Sequence, residues 1–503
     1  MKRPSFKLYD NDMPTIFEDT IIASATIPGT GAISLLRISG PCAFELTDSL
    51  VVFRKGNAFE AKANTIKFGT IFKDGALLDE VLVCIYRAPH SYTGEDSVEF
   101  MCHASSYIVT EILAMALGFG ARLAEHGEYT KRAFLNGKMD LTQAESVADM
   151  VASTTAASHR VAANQLKGGF SAELASLREK LLEMASLLEL ELDFSEEDVE
   201  FADRQRLNGL LDTVIAKVSS LASSFKLGNA IKNGIPVAIV GATNAGKSTL
   251  LNAILGEQRA IVSDIEGTTR DTIEETFNIN GVLFRFVDTA GIRETKGEIE
   301  RIGIERSFSS IRKANVVIIL LDVVTLSNTL SSADAFPDES LVQILSAVDF
   351  TTQKVIFALN KVDIVGNLAD NIFVNIKNTI VSYISKKSVT SSSKCDGVHF
   401  VEISAKELTG MTKLLDTLSE LVGKDINSVS ESSVLVTNMR HYEALVTAHK
   451  SLLAVKDGLA SGSPTDLVAE DLRAALSTLG SITGEITTTD ILQNIFSKFC
   501  IGK

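Results

Sequence analysis

The stretch GATNAGKS, Gly241–Ser248, constrains this chain more than any other segment of its length. It matches the pattern GxxxxGK[ST] and lies between the apolar runs IPVAIV and TLLNAIL, so a buried strand has to turn through glycines directly into a helix. The glycines let backbone N–H groups close around phosphates, and the helix N-terminus adds the positive end of its dipole. Lys247 can reach the terminal phosphates and Ser248 carries a hydroxyl suited to magnesium. Such a loop needs a parallel sheet around it, and strand-like and helix-like runs alternate from here to about Val422. Residues 234–424 are therefore expected to form an α/β domain inserted within the chain.

Shorter motifs narrow the nucleotide and its handling. DTAG, Asp288 to Gly291, ends another apolar run and supplies an acid for a metal shell and a glycine N–H for the terminal phosphate. NKVD, Asn360 to Asp363, follows VIFAL; the Asp363 carboxylate can accept from the ring N–H and the exocyclic amine of guanine, a pair that adenine cannot offer. The expected nucleotide is GTP. SAK, comprising Ser404, Ala405 and Lys406, stands where such domains close over the base. In DIEGTTRD, Asp264 to Asp271, Thr269 is the candidate switch hydroxyl for magnesium. Ile292 follows DTAG where Ras-like GTPases carry a water-orienting glutamine, so another acid has to do that work. Asn244 resembles the asparagine of potassium-activated GTPases, whose side-chain carbonyl helps hold a monovalent cation in place of an arginine finger.

The flanks differ in texture. Up to about Gly137, short alternating runs such as DEVLVCIYRAP, with Val81, Val83 and Ile85 on one face, read as a compact α+β unit. Asp140 with Gln143 three residues on resembles a capping box and opens a stretch of long helices over residues 138–233. Within it Leu174, Leu177, Leu181, Met184 and Leu188 form the stripe of a helix packed on helices. Helical periodicity resumes over residues 425–503, with Val468, Leu472, Leu476 and Leu479 on one face and Ile491, Ile495, Phe496 and Phe499 on the next. The helical domain is thus expected to be discontinuous around the inserted one. SNTLSSADAFPD and KKSVTSSSKCDG read as surface insertions.

Charge and cysteine usage exclude several classes. The chain carries 48 basic against 63 acidic residues, net −15, so no global field attracts nucleic acid and any RNA contact must come from a local patch or a partner. Five widely spaced cysteines without a CxxC pair argue against a disulfide framework and a zinc site and fit a reducing cytoplasm. The N-terminus has no apolar core or cleavage site, and no apolar run reaches spanning length. The ending FCIGK has the outline of a prenylation box, but Gly502 is not aliphatic, Lys503 is not a usual last residue, and no basic run or second cysteine precedes it.

An α+β head, split helices, an inserted GTPase with NAGKS and GTTRD, and the ending FCIGK together make the chain resemble, over nearly its whole length, the MnmE (TrmE) family of tRNA-modifying GTPases. The resemblance implies an N-terminal tetrahydrofolate-binding and dimerisation domain over residues 1–137, a helical domain in two parts, 138–233 and 425–503, and a Ras-like P-loop GTPase domain over 234–424. It implies a homodimer that works with the flavoprotein MnmG. The pair would place an aminomethyl-type or carboxymethylaminomethyl group on C5 of the wobble uridine of certain tRNAs, with a carbon from 5-formyl- or methylene-tetrahydrofolate. A cytoplasmic protein with no membrane anchor is expected.

By motif match, GTP would meet Asn244, Ala245, Gly246, Lys247, Ser248 and Thr249, then Ser263, Asp264, Ile265, Glu266, Gly267, Thr268 and Thr269. Asp288, Thr289, Ala290 and Gly291 would follow, with Asn360, Lys361, Asp363, Ser404, Ala405 and Lys406 at the base. Magnesium would be held by Ser248 and Thr269, and potassium by Asn244, Ser263, Ile265 and Thr268, Ser263 standing where the family commonly has threonine. Glu300, in the segment after DTAG, would orient water, beside Lys247 and Asn244 as the other catalytic groups of the nucleotide site. Arg37, Glu99, Lys138 and Lys503 match the family's folate contacts, and Cys500 would stand beside the one-carbon site as a nucleophile or as a packed group. A carboxylate such as Glu99 can take the adjacent N–H donors of a pterin edge, and a glutamyl tail wants Arg and Lys partners. Alternative readings are a ribosome-assembly GTPase, a regulatory GTPase controlling assembly of a folate enzyme, and a lipid-anchored switch.

Overall fold

Val81, Val83 and Ile85 are all buried, as their alternation requires. They lie on one of seven strands: β1 (Ile21–Ser24), β2 (Ser34–Ser39), β3 (Val52–Phe53), β4 (Thr65–Lys73), β5 (Ala76–Tyr86), β6 (Ser97–Cys102) and β7 (Arg122–Leu123). In the computed structural model, which describes residues 18–193, 204–257, 275–287, 308–330, 339–365, 369–387, 398–427 and 434–502, these strands form one sheet of order β3-β4-β5-β6-β2-β1-β7. All pairings are antiparallel except β1 with β7. The helices Ala43–Leu50 and Ser106–Gly118 contribute Phe44, Leu46, Ile112 and Ala116 to the core on one face of the sheet.

The described chain divides into two compact units, one drawn from residues 1–148, 165–203 and 457–503, the other from 149–164 and 204–456. In the first, the capping box forms as read: Gln143 N–H donates to Asp140 Oδ1 (2.9 Å) and Asp140 N–H to Gln143 Oε1 (3.0 Å). The helix Gly169–Asp193 buries Leu174, Leu177, Leu181, Met184 and Leu188 and packs on the helix Thr465–Thr483, a partner from the far end of the chain. On the latter helix Val468, Leu472 and Leu479 are buried; Leu476 is only half-buried because Ala475 takes the facing position. The last helix, Thr489–Phe496, starts at the Thr488 cap, and this phase buries Leu492 and Phe496 at i and i+4. Ile491, expected inside, is instead 37% exposed.

The second unit carries a six-stranded sheet of β8 (Ile235–Gly241), β9 (Glu275–Ile279), β10 (Val282–Phe286), β11 (Val316–Asp322), β12 (Lys354–Asn360) and β13 (Val398–Glu402), in the order β13-β12-β11-β8-β10-β9. Every pairing is parallel except the edge strand β9 on β10. Central strands of a parallel sheet are covered on both faces, which is why β11 and β12 read as unbroken apolar runs and are buried almost throughout. This is a Ras-like P-loop domain, with the phosphate loop leaving the central strand β8. Residues 331–338 and 388–397, most of the two expected surface insertions, lie outside the described residues.

Candidate functional site

The loop after β8 is shaped by backbone conformations that ordinary residues avoid. Asn244 has φ +65° and Gly246 φ +101°; asparagine tolerates the left-handed region, whereas a Cβ on Gly246 would stand 2.5 Å from Asn360 Nδ2. The chain then enters the helix Lys247–Glu257, Leu250 N–H donating to Gly246 O at 2.8 Å. The first-turn N–H groups of any helix lack carbonyl partners within the helix, which makes this turn a natural anion site. The Lys247 ammonium donates to the carbonyls of Gly241 and Ala242, both at 2.9 Å, which folds it back over the loop. Burial holds its pKa below the usual lysine range, so an anion placed here would recover the charge that burial disfavours. Ala245 is buried, and Asn244, Thr249 and the neighbouring Ala242 are exposed.

Asn360, at the end of β12, joins two parts of the site. Its Nδ2 donates to Ala245 O (2.8 Å), and its Oδ1 accepts from Ala405 N–H (3.0 Å). One buried amide thus ties the phosphate loop to the SAK segment. Ser404, fully buried, donates its N–H to Thr409 O (2.9 Å) and accepts at Oγ from Glu407 N–H (3.2 Å), closing a tight turn. Lys361, at φ +69°, reaches Asp322 at the end of β11 (2.7 Å). Burial pushes the Asp322 carboxyl up, but the bonds from Lys361 and Thr325 outweigh it and hold the group below the usual range. Asp363 is exposed on the short helix Val362–Val365, and Lys406 is exposed beside Glu407. The expected residues from Asn244 to Thr249 and from Asn360 to Lys406 are therefore brought to the C-terminal ends of the parallel strands of one sheet, where such sheets bind ligands. Ser263, Asp264, Ile265, Glu266, Gly267, Thr268, Thr269, Asp288, Thr289, Ala290, Gly291 and Glu300 lie outside the described residues.

A second constellation lies in the head. Arg37 on β2 and Glu99 on β6 are register partners. The guanidinium grips Glu99 Oε1 through both Nε and NH2 at 2.8 Å, and both side chains keep partial exposure, 19% and 16%. Tyr86 O–H lies 3.4 Å from Glu99 Oε2. The guanidinium also lies over the rings of Tyr92 (5.3 Å) and Tyr129 (5.5 Å), while the Tyr129 hydroxyl donates to Arg37 O at 2.6 Å. Lys138 is exposed and donates to Pro89 O at 2.7 Å, packing beside Gly94 of the loop that carries Tyr92. Under this loop the fully buried Arg132 is held by Asp19, Glu95 and Glu128 at 2.8–3.2 Å, and Glu95 in turn accepts from Ser39 at the end of β2.

The C-terminal tail reaches the same place. Phe496 and Phe499 are buried with Phe134, Leu141 and Leu492. His126 Nδ1 is 2.9 Å from Phe499 O, and His126 bridges Ile501 as in an antiparallel ladder. Gly502, at φ +95°, lies so close to Ser24 that a Cβ would be 2.3 Å from its carbonyl oxygen; its own carbonyl is 3.5 Å from Arg37 NH1. Cys500 is exposed. Lys503 lies outside the described residues. Sequence reasoning missed Tyr86, Tyr92, Tyr129 and His126, since isolated aromatic residues in SYTGED or GEYT carry no pattern until the sheet assembles them.

Among the described residues no cluster of His, Cys, Asp and Glu forms a metal centre, and no helix is long and apolar enough to cross a membrane. Comparison with known proteins gives matches along the chain. Residues 20–138 match the model described as the GTP-binding protein TrmE N-terminus, and residues 141–500 match the MnmE helical domain. A "tRNA modification GTPase MnmE" from Parabacteroides distasonis is 47% identical over 490 residues, covering 96% of this chain and all of the relative. Proteins of that name from Bacteroides fragilis and Cytophaga hutchinsonii are 46% and 45% identical and cover 97% and 96% of the chain.

Proposed function

Because this chain belongs to the MnmE (TrmE) family of tRNA modification GTPases, we propose that it hydrolyses GTP in order to drive modification of the wobble uridine of certain tRNAs. It would act as a homodimer with the flavoprotein MnmG, adding an aminomethyl-type or carboxymethylaminomethyl group at C5 with a folate-borne carbon. Domain limits of 1–137, 138–233, 234–424 and 425–503 accompany this reading. One observation carries it: the same chain holds a phosphate loop in one unit and, in the other, a C-terminal tail seated on the Arg37–Glu99 pair.

In the nucleotide site, Lys247 and the N–H groups of Gly246 to Thr249 bind phosphates. Asn360 keeps the loop and Ala405 in register, and Asp363 accepts two hydrogen bonds from guanine. Ser248 and Thr269 are the residues that would hold magnesium; Asn244, with Ser263, Ile265 and Thr268, would hold potassium. The exposed, left-handed Asn244 is consistent with that role, because its side chain is open to solvent within the phosphate loop. Bound cations would neutralise the charge that develops on the transferred phosphoryl group. Glu300 would orient the attacking water.

In the head, the partly exposed Glu99, held by the Arg37 fork, offers carboxylate lone pairs to the paired N–H donors of a pterin, with Lys138 and Lys503 for the glutamyl carboxylates. The accessible Tyr92 ring beside Arg37 offers apolar surface for the pterin, while the buried Tyr129 supports Arg37. A bound folate would supply a one-carbon unit, at the formate level from a 5-formyl group or the formaldehyde level from a methylene group; the protein would bind it, orient it and hold Cys500 beside it. Mass analysis of wobble nucleosides from cells lacking this chain tests the reading. Loss of the C5 modification, restored by the wild-type gene, is expected; an unchanged nucleoside profile refutes it.

A further inference from the structure

In the second unit, the helix Arg204–Asn233 and the part of the helix Met439–Ser461 up to residue 456 flank a cavity of about 350 Å³ that the nucleotide chemistry does not use. Its walls follow helical spacing. Ser219 and Lys226 lie two turns apart on one helix, and Tyr442 lies two turns from His449 and Lys450 on the other. Phe225 stacks on Tyr442 with ring centroids 4.6 Å apart and planes at 20°, forming an aromatic floor. Among the described residues no carboxylate lines the cavity, although the chain as a whole carries net charge −15. Lys226 and Lys450 are exposed, and His449 is half-buried in the same lining.

A polyanion is repelled by the average surface of this protein and attracted only where bases cluster without acids. An acidic peptide would satisfy the lysines but would leave a stacked aromatic platform unused. Single-stranded RNA satisfies both, because phosphates neutralise lysines while bases and riboses lie on aromatic faces. We propose that this cavity is a contact site for tRNA, in which Lys226 and Lys450 pair with backbone phosphates and the Phe225–Tyr442 pair receives an unstacked base or ribose. His449 and Ser219 supply hydrogen bonds to the same segment. The inference rests on the tRNA reading above and deepens it by placing a substrate contact on the helices.

Binding of purified tRNA to the full-length protein, measured from about 50 to 200 mM salt, tests it. Replacing both lysines (Lys226→Ala with Lys450→Ala) removes two phosphate contacts. The slope of log affinity against log salt should become shallower by about 1.4–1.8, with affinity near physiological salt falling about tenfold. The double Lys→Arg variant should restore both, and GTP hydrolysis should stay at the wild-type rate in both variants, showing that the fold is intact. Wild-type binding with an unchanged slope and affinity in the alanine variant overturns the proposal. Displacement of tRNA by polyglutamate at matched charge as effectively as by single-stranded RNA overturns the choice of RNA over an acidic protein. A wild-type protein that binds no tRNA at any salt, alone or with its flavoprotein partner, refutes the tRNA reading itself and the cavity proposal with it.

Discussion

In the phosphate loop, consecutive residues from Gly241 to Ser248 build the site, and most of what they offer an anion is backbone N–H. In the head, Arg37, Glu99, Tyr92, Lys138 and Gly502 come from five separate segments, and they offer side chains. The first is positioned by conformation: Asn244 and Gly246 hold left-handed angles, and the Asn360 amide pins the loop between them at Ala245. The second is positioned by supports such as the buried Arg132 and the packed Phe496 and Phe499. A site made of backbone should be intolerant of added atoms, and a site made of side chains intolerant of lost ones. The two should also fail independently.

The largest effect is expected where backbone space is tightest. Gly246→Ala puts a Cβ 2.5 Å from Asn360 Nδ2 at a φ that L-residues rarely adopt, so the loop and the Asn360 joint cannot both persist. GTP hydrolysis should fall by about a hundredfold or more, with folate binding by the head unchanged. A variant that hydrolyses GTP normally breaks the backbone half of the comparison. Next is the cation. GTP turnover in KCl should exceed that in NaCl of equal ionic strength by about tenfold or more, and Asn244→Ala should abolish the difference while still binding GDP. Equal rates in the two salts would remove potassium from the account.

The two halves were also unequally legible in the sequence. GxxxxGK[ST] between an apolar strand and a helix is a local signal, so the strand, loop and helix could be placed before the sheet order was known. The Asp140–Gln143 cap and the Leu174–Leu188 stripe were readable for the same reason. Asn360 was read as part of a base-recognition motif, but its bonds to Ala245 and Ala405 are contacts across the sheet and leave no trace in spacing. The head pair was found by resemblance alone, because Arg37 and Glu99 become neighbours through strand register. Ile491 went wrong for a smaller reason: the Thr488 cap sets the helix phase, and a shift of one residue turns Leu492 inward instead.

On the side-chain half, Arg37→Lys keeps the charge but loses the fork that holds Glu99 and faces the Tyr92 and Tyr129 rings. Folate affinity should fall about tenfold, with GTP turnover at the wild-type rate. Binding at wild-type affinity would show that the fork is not what positions Glu99. The smallest expected effect is at Asp322, which supports Lys361 rather than the phosphates. Asp322→Asn should cost about 1–2 kcal/mol of stability near neutral pH, measured by urea unfolding. Its carboxyl is held below 3.8 in the folded protein, so its contribution is complete above pH 3.8 and is lost as pH falls through the lowered folded value. The gap between wild type and variant should therefore narrow in acid.

The independence of the two sites is tested most directly by deleting residues 500–503 and measuring wobble-nucleoside content and GTP hydrolysis on the same protein. Seating of the tail on His126, Ser24 and Arg37 predicts that modification is abolished while hydrolysis stays near the wild-type rate. A truncated protein that still modifies tRNA at the normal level would contradict the account, whatever its GTPase rate.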